Sequence, residues 1–344
     1  LAEQTAGQAR QRVRQTQCTC TASGGWTGTR STSGSQSVGP IAATTSYVLT
    51  CTGTGGTAAQ TATVTVGAAG DVIVSGTITF ERPLFRANGT GLDMGNPIVA
   101  PARGVIVEAI NPATRARIGS AATTDVNGEY SLSVPQSTQI IVSARAEMVS
   151  TTAPTWNFKV LNNTNGNALY VLDSAAFNTG SANSIRDLRA TTGWGGTSYT
   201  GTRAAAPFAI LDTVYKAREL VRSADPATSF APLNLYWSVA NRTAEGCTTN
   251  GNIGITFYTG GAPALGSGNC TPNVAIPAGI YILGDYASGA GDTDEFDQHV
   301  IGHEFGHYFE DVFSRSDSIG GSHGSGERLD LRLAFGEGFG TAFS

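Results

Sequence analysis

Positive charge, long apolar runs and paired cysteine motifs are scarce in this sequence, and each shortage removes a class of function. Only 21 Lys and Arg residues stand against 26 Asp and Glu residues, which gives a net charge of −5. No basic stripe is available to neutralise phosphates, so we expect no nucleic-acid partner. No apolar run approaches the ~20 residues that a membrane-spanning helix needs, so we expect no transmembrane segment. The five cysteines include no CxxC pair, which argues against a cysteine-based zinc site.

Glycine and small polar residues are abundant instead. The 344 residues include 44 glycines, and 40% of the chain is hydrophobic, so the sequence can bury packed cores between many tight turns. At ~100–200 residues per domain, this length predicts two or three domains. The chain begins at Leu1 without a signal-peptide pattern and stops at Ser344, and we expect it to be a fragment of a longer protein.

Residues 1–69 carry the period-two alternation of β-strands. Residues 47–51 and 62–66 alternate on either side of a glycine-rich turn. Residues 18–66 resemble the bacterial immunoglobulin-like repeats of secreted proteins, in which a Cys-Thr-Ala-Ser-Gly segment pairs with a Tyr-x-Leu-x-Cys strand. The resemblance implies an immunoglobulin-like β-sandwich over residues 1–69 in a secreted or cell-surface bacterial protein. Residues 1–17 depart from the family, because they are polar where it has an opening strand.

The cysteines fall at positions that suit disulfides in an oxidising compartment. Cys20 and Cys51 flank predicted strands of the first module. Cys247 and Cys270 do the same nearer the other end of the chain. We expect each pair to form a disulfide, which leaves Cys18 over. The alternative is that the cysteines are reduced and buried as small hydrophobic residues.

Residues 70–149 predict a second β module. An Asp-x-Asn-Gly turn between alternating segments indicates a hairpin. The alternating segments lie at residues 72–80, 104–109 and 123–132. This stretch resembles the carboxypeptidase regulatory-like domain, a transthyretin-like β-sandwich, and the resemblance implies a structural or adhesive module without chemistry of its own. The Thr-Asp-x-x-Gly-x-Tyr signature of that family falls on Thr124, Asp125, Gly128 and Tyr130.

Residues 150–344 change in pattern, because helical periodicity appears beside short strands. Helices are predicted over residues 208–221 and from about 295 to 313, and strands over residues 233–239, 253–258 and 279–283. We interpret residues 279–283 as an edge strand that can bind an extended peptide by strand addition.

The second predicted helix carries an HExxH motif. His303 and His307 are four residues apart, so both imidazoles project from one helix face and can bind one tetrahedral zinc ion. Glu304 is rotated by about 100° and can reach a water on that metal. Zinc lowers the pKa of such a water to about 7, so Glu304 can take its proton as general base and pass it to a leaving amine. The pattern predicts zinc-dependent peptide hydrolysis.

The context of the motif distinguishes it from a chance match. Gly302 and Gly306 each cost about 1 kcal/mol of helix propensity, which indicates close packing against a neighbouring backbone. All four histidines of the chain lie within residues 299–323. The plain alternative is an amphipathic helix with surface histidines. The apolar residues on the opposite face are Ile301, Phe305, Tyr308, Phe309 and Val312.

The third ligand separates the classes of zinc peptidase. The metzincin pattern requires Gly and His where this chain has Glu310 and Phe313. A glutamate in the apolar and small-residue segment 333–343 resembles the second motif of the gluzincins, of which thermolysin is the best-known member. The resemblance implies three zinc ligands and one base: His303, His307 and Glu337, with Glu304 as the base.

Four other side chains compete with Glu337 for the third ligand position: Glu310, Asp311, Glu327 and His323. A rigid helix carries the first two a further ~5 Å past the second histidine, too far for an unstrained tetrahedral site. The other two lie in a predicted flexible polar loop. Glu337 sits in an apolar helical segment between Phe335 and Phe339, where a buried carboxylate needs a cation.

Other polar residues near the motif have two interpretations each. His299 either meets solvent or supports a ligand by a hydrogen bond, or else binds the metal itself. His323 is either an ordinary surface-loop histidine or a donor to the oxyanion of the reaction. Calcium is a further candidate cofactor, with helix capping as the alternative role of its possible ligands, Asp292, Asp294 and Asp297.

The predicted fold is multidomain. Two N-terminal β-sandwich modules, over residues 1–69 and 70–149, precede an α+β zincin-like metallopeptidase domain over residues 150–344, which we expect to be truncated at Ser344. The predicted function is a secreted zinc peptidase that acts on protein or peptide, with the β modules attaching it to a cell surface or matrix. The alternative is a non-enzymatic adhesin with a degenerate peptidase-like domain, although degenerate members usually lose a ligand or the base.

Overall fold

The structure is a computed structural model that describes residues 18–39, 41, 43–65, 70–244, 246–261, 275–286, 293–320, 324 and 326–344. The chain divides into two compact units, with the division between Asp71 and Val72. That division lies two residues after the predicted boundary at residues 69 and 70. None of the described helices is long and apolar enough to cross a membrane.

The first unit contains one antiparallel sheet in its described residues, with strand order β2-β1-β3-β4. Its strands are β1 Thr19–Gly24, β2 Gly28–Arg30, β3 Thr45–Gly53 and β4 Gly56–Val64. The register of β1 against β3 places Cys20 opposite Cys51, and the two form a disulfide across a Cα separation of 3.9 Å. This confirms the first predicted disulfide. Cys18 is exposed and free, as expected.

The second unit begins with two sheets, and β5 is the central strand of one of them. Alternate β5 residues such as Val72, Val74, Ile78 and Phe80 are buried in the core, because successive side chains of a strand point to opposite faces. In that sheet β6, β9, β16 and β17 all pair with β5. The strands of this sheet are β5 Asp71–Arg82, β6 Ile98–Pro101, β9 Glu129–Pro135, β16 Ser184–Ile185 and β17 Leu188–Ala190.

The other sheet of this pair has the order β14-β10-β7-β8, and β15 also pairs with β10. Its strands are β7 Ile106–Ile110, β8 Arg117–Thr123, β10 Gln139–Arg145, β14 Val171–Asp173 and β15 Phe177–Asn178. The predicted hairpin at the Asp-x-Asn-Gly turn is wrong, because β8 belongs to this sheet while β9 pairs with β5. The turn itself forms as the sequence indicates: Asp125 Oδ1 accepts the backbone N–H groups of Asn127 and Glu129.

The sheet pair does not end at residue 149. Four strands between residues 171 and 190 complete its two sheets, and one hydrophobic core runs on from these sheets into the helices of the same unit. The predicted boundary at residues 149 and 150 therefore does not match a break in the structure. Strands of two or three residues carry too little alternation to be recognised in sequence.

A third sheet lies next along the chain and has the order β11-β12-β18-β20-β19. Its strands are β11 Glu147–Ser150, β12 Trp156–Asn162, β13 Ala168–Leu169, β18 Leu233–Trp237, β19 Phe257–Thr259 and β20 Gly279–Ile282. β12, β18 and β20 run parallel, whereas β19 is antiparallel to β20 and lies at the end of the sheet. The prediction that residues 279–283 form an edge strand is wrong, because β20 is paired on both sides.

Helices accompany this third sheet. They are α1 Ala206–Ala224, α2 Gln298–Phe313 and α3 Leu331–Phe343, with a short 3-10 turn at Thr248–Asn250. α2 buries Ile301, Phe305 and Tyr308, and the ring of Phe305 meets Phe158 of β12 edge to face at 6.4 Å. The apolar face of α2 therefore packs on the sheet and leaves the histidine face turned away from it.

A buried ion-pair network fixes the start of α2 within this unit. Asp212 of α1 forms an ion pair of 2.8 Å with Arg82 of β5, and both side chains are only 3% exposed. Arg103 pairs with the same carboxylate. Arg82 also donates to Gln298, the first residue of α2, at 3.2 Å. Each buried charge thus has a partner of opposite charge. Such a partner offsets the free energy that is lost when a charge is removed from water.

Cys247 precedes the 3-10 turn and is disulfide-bonded. Its predicted partner, Cys270, lies outside the described residues.

Candidate metal centre

The HExxH motif lies on the second and third turns of α2. Asp297 caps the helix by accepting the backbone N–H groups of His299 and Val300, so the helix begins where its sequence supplies a capping carboxylate. The four-residue spacing then brings His303 and His307 together, with their Nε2 atoms 2.9 Å apart. Both rings are about one-fifth exposed.

Glu337 reaches these histidines from α3. Its Oε2 lies 3.1 Å from Nε2 of His303, and its Oε1 lies 3.6 Å from Nε2 of His307. No other group of three or more metal-binding side chains clusters in the part of the chain that the structure describes. Glu337 therefore lies beside the two histidines with which the sequence analysis grouped it.

The competing residues are placed elsewhere. Asp311 accepts a hydrogen bond of 2.6 Å from the hydroxyl of Tyr258, and Glu327 accepts the backbone N–H of Gly324 on an exposed loop. Glu310 is buried and lies against α3 near Gly336. His323 is outside the described residues.

The environment of Glu337 differs from the prediction in one respect. Phe335 is 67% exposed, and Leu331, one turn earlier on α3, is 86% exposed. The carboxylate of Glu337 is itself 23% exposed. The segment is apolar as predicted, but only one side of α3 is packed. The prediction that the Glu337 carboxylate is buried between Phe335 and Phe339 is therefore wrong.

The donor set fits a tetrahedral metal ion. With ligand bonds of about 2.0–2.2 Å, neighbouring ligand atoms of a tetrahedron lie roughly 3.3–3.6 Å apart. The closest approaches among the three side chains are 2.9, 3.1 and 3.6 Å, the last two to different carboxylate oxygens of Glu337. With one ligand atom taken from each residue, the three atoms lie within 4.8 Å of one another. Two imidazoles and one carboxylate are the ligand set of catalytic zinc sites that keep a fourth position open for water or substrate.

Close helix packing makes this convergence possible. A Cβ atom on Gly340 would lie 3.0 Å from the ring of His303, so only glycine lets α3 approach that histidine. Thr341, four residues after Glu337 on the same face of α3, places its Oγ1 3.4 Å from Nδ1 of His303. Sequence analysis missed Thr341, although the i, i+4 spacing from Glu337 was a signal for it.

Glu304 lies beside the three side chains and is 8% exposed. Its Oε2 accepts the backbone N–H of Tyr258 in β19 at 2.7 Å. Burial raises the pKa of Glu304 to about 8 against the opposing effect of that hydrogen bond, and the nearby charges of Glu337 and Asp294 add to the rise. Tyr258 had no signal in the sequence, because it acts through a backbone group.

The remaining candidates have structural roles where they are described. His299 is exposed, and its ring centroid lies 5.3 Å from that of Phe85. It therefore meets solvent, which is one of the two roles that the sequence allowed for it. Asp297 is the helix cap, and Asp294 is buried and accepts a hydrogen bond from Thr256. Asp292, the third candidate calcium ligand, lies outside the described residues. Capping therefore accounts for Asp297.

An open cleft of about 830 Å³ lies over the site, lined by His303, Glu304, His307 and Glu337 and by residues of β19 and the segment before it. β19 forms one rim of the cleft as the end strand of its sheet.

Comparisons with known proteins add little. No family model matches the chain, and no curated protein matches it. Among solved structures, one from Pseudomonas aeruginosa, described as a "putative carbohydrate binding protein", is similar over 35% of this chain and 88% of its own length. The identity is 11% and the TM-score 0.21, which is too low to carry an argument about this chain.

Proposed function

We propose that this protein is a secreted zinc-dependent peptidase in which His303, His307 and Glu337 hold the metal and Glu304 is the general base. One observation carries the proposal: His303, His307 and Glu337, from two helices, each offer a ligand atom, and these atoms lie within 4.8 Å of one another. A second carboxylate, that of the buried Glu304, stands beside them in an open cleft. The alternative, an amphipathic helix with surface histidines, does not explain why Glu337 lies beside both histidines.

The layout around the site supports a zincin-like catalytic domain. A mixed sheet with an antiparallel end strand packs on the apolar face of α2. The substrate we propose is an extended peptide that adds to β19 by main-chain hydrogen bonds, because among the described residues β19 has a partner strand on one side only. The strand named from the sequence for this role, β20, is ruled out by its two neighbours.

Each residue then has one task. Zinc, when bound, polarises the substrate carbonyl and lowers the pKa of a bound water. Glu304 accepts the proton of the attacking water and donates it to the leaving amine. The backbone N–H of Tyr258 holds the Glu304 carboxylate in place. The pKa of Glu304, raised to about 8 by burial, falls when a cation is held nearby, because opposite charge favours the ionised carboxylate.

The cysteines support the location. The disulfide between Cys20 and Cys51, together with the disulfide-bonded Cys247, suits an oxidising compartment. We propose that the protein is exported and that the β modules attach it to a surface or matrix.

The test is metal analysis of the purified chain followed by hydrolysis of casein with and without a chelator. We expect about one zinc per chain, and hydrolysis that the chelator stops and added zinc restores. A chain that binds zinc but hydrolyses nothing would support the non-enzymatic adhesin instead. Iron in place of zinc would also contradict the proposal, since two histidines and one carboxylate suit that metal in oxygenases.

A further inference from the structure

The cleft over the candidate metal centre is acidic. Among its described lining residues there is no Lys or Arg, whereas Glu304, Glu310, Asp311 and Glu337 all contribute. The sequence from residue 243 to residue 314 contains nine Asp and Glu residues and no Lys or Arg. Glu337 and Glu304 have the roles of ligand and base. The other two carboxylates are left without a role in the chemistry.

Glu310 is the unusual member of this pair. Its side chain lines the cleft, and the residue is 7% exposed. Its carboxylate has no hydrogen-bond or ion-pair partner among the described residues, and Oε2 would lie 3.2 Å from a Cβ on Gly336 of α3. That carboxylate faces the cleft near the carboxylates of Asp311 and Glu337, and a cationic group that entered the cleft would offset the repulsion among these charges.

Asp311 extends the acidic surface towards the strand that we propose binds the substrate. Its Oδ2 accepts a hydrogen bond from the hydroxyl of Tyr258 in β19. The same oxygen would lie 3.0 Å from a Cβ on Gly260, just past the end of that strand. The carboxylate therefore stands over the end of the strand. The two acidic residues lie about one helical turn beyond His307, roughly 5–6 Å along the axis.

We propose that Glu310 and Asp311 form an acidic subsite that binds the side chain of a Lys or Arg residue of the substrate. This inference rests on the proposed peptidase function. The distance from His307 corresponds to less than two residues of extended chain at ~3.3 Å per residue, so the basic residue lies within two positions of the cleaved bond. Leu333 also lines the cleft and is buried, which gives the apolar stem of such a side chain a surface to pack on.

The experiment has two stages, both with the zinc-loaded full chain. A mixture of unstructured peptides is digested, and the cleaved bonds are mapped by mass spectrometry. We expect Lys and Arg to be enriched within two positions of the cleavage. Two peptides that differ only by Lys or Gln at the enriched position are then compared. We expect the ratio of their kcat/KM values, Lys over Gln, to be about ten or more, the size of one charge-assisted contact.

Variants test the residues themselves. Glu310→Gln should lower the ratio about tenfold, and Asp311→Lys should turn the preference towards an acidic peptide. Glu129→Gln, the same change at an exposed position of β9, should leave the ratio as it is. The ratio does not depend on the fraction of folded protein, so a poorly folding variant still gives an answer.

The outcomes separate the two proposals. Equal kcat/KM values for the two peptides, or a ratio that neither cleft variant changes, would overturn the acidic subsite and leave the peptidase function intact. No cleavage of any peptide by the zinc-loaded chain would overturn the peptidase function and the subsite with it.

Discussion

Gly306 of α2 and Gly340 of α3 face each other so closely that a Cβ on Gly306 would lie 2.9 Å from the Cα of Gly340. No real side chain fits at that distance from a backbone atom, so the two helices touch through their glycines. This contact brings the helix that carries Glu337 against the helix that carries both histidines. The helix propensity that each glycine gives up, about 1 kcal/mol, is the cost of that approach.

Alanine at this contact should therefore disturb the metal centre. We expect Gly306→Ala to lower the free energy of unfolding by about 1–3 kcal/mol, as overpacking does, and to weaken zinc binding at least about tenfold. Gly338→Ala in α3 is the control, because nothing lies within 4 Å of the Cβ that it would add. It should keep zinc affinity and stabilise the helix slightly. Urea unfolding and competition with a chromogenic chelator measure both effects.

Glu304→Gln should abolish hydrolysis and keep the metal. The amide oxygen of Gln can still accept the N–H of Tyr258, so the local structure is retained, but the amide cannot take a proton from water. We expect kcat/KM to fall by a factor of about 10²–10⁴ with unchanged zinc content. Near-wild-type turnover by a zinc-replete variant would sink the role of Glu304 as base.

Glu337→Gln should weaken zinc binding at least about tenfold, since even the partners that orient metal ligands contribute that much. Glu327→Gln is the matched control, because Glu327 is exposed and its carboxylate accepts a hydrogen bond from the backbone N–H of Gly324. Isothermal titration of the metal-free protein with zinc gives both affinities. Equal affinities for the two variants would remove Glu337 from the ligand set.

Asp212→Ala should be among the most destabilising single changes in the second unit. It leaves Arg82, which is 3% exposed, without its carboxylate partner. We expect a loss of about 3–5 kcal/mol in the free energy of unfolding, because an uncompensated charge remains buried. Asp317→Ala breaks an exposed pair with Arg315 and should cost less than about 1 kcal/mol. Urea unfolding of both variants tests the contrast, and similar losses would contradict it.

The local features of the site were predictable because they depend on short spacings. The i, i+4 placement of His303 and His307 follows from helix geometry alone, and α2 ends at Phe313 as predicted. It begins at Gln298, not near residue 295, because Asp297 is the residue whose carboxylate caps the first turn. The helix predicted over residues 208–221 is present and slightly longer, as α1 Ala206–Ala224.

Features that depend on distant contacts were not predictable. Nothing within residues 279–283 indicates that β19 pairs beside them, so their sequence predicts an edge strand where the structure has an interior one. The strands after residue 170 join sheets whose other members lie up to about 110 residues earlier. For this reason the sequence does not show that the second β module extends past residue 149. The sequence offers Glu310 only as a rival ligand, since its low exposure depends on the packing of α3 against α2.

The outer face of α3 is exposed, with Leu331 and Phe335 in solvent. The position of this helix therefore depends on the contacts of its inner face alone. In the zinc site that we propose, Glu337 supplies a ligand only while α3 is docked, so we expect zinc binding to favour the docked helix. By mass action, each tenfold rise of free zinc above its dissociation constant then adds about 1.4 kcal/mol to the docked state. Amide hydrogens of α3 should accordingly exchange more slowly as zinc is raised, while those of β1 and β3 in the first unit keep their rates.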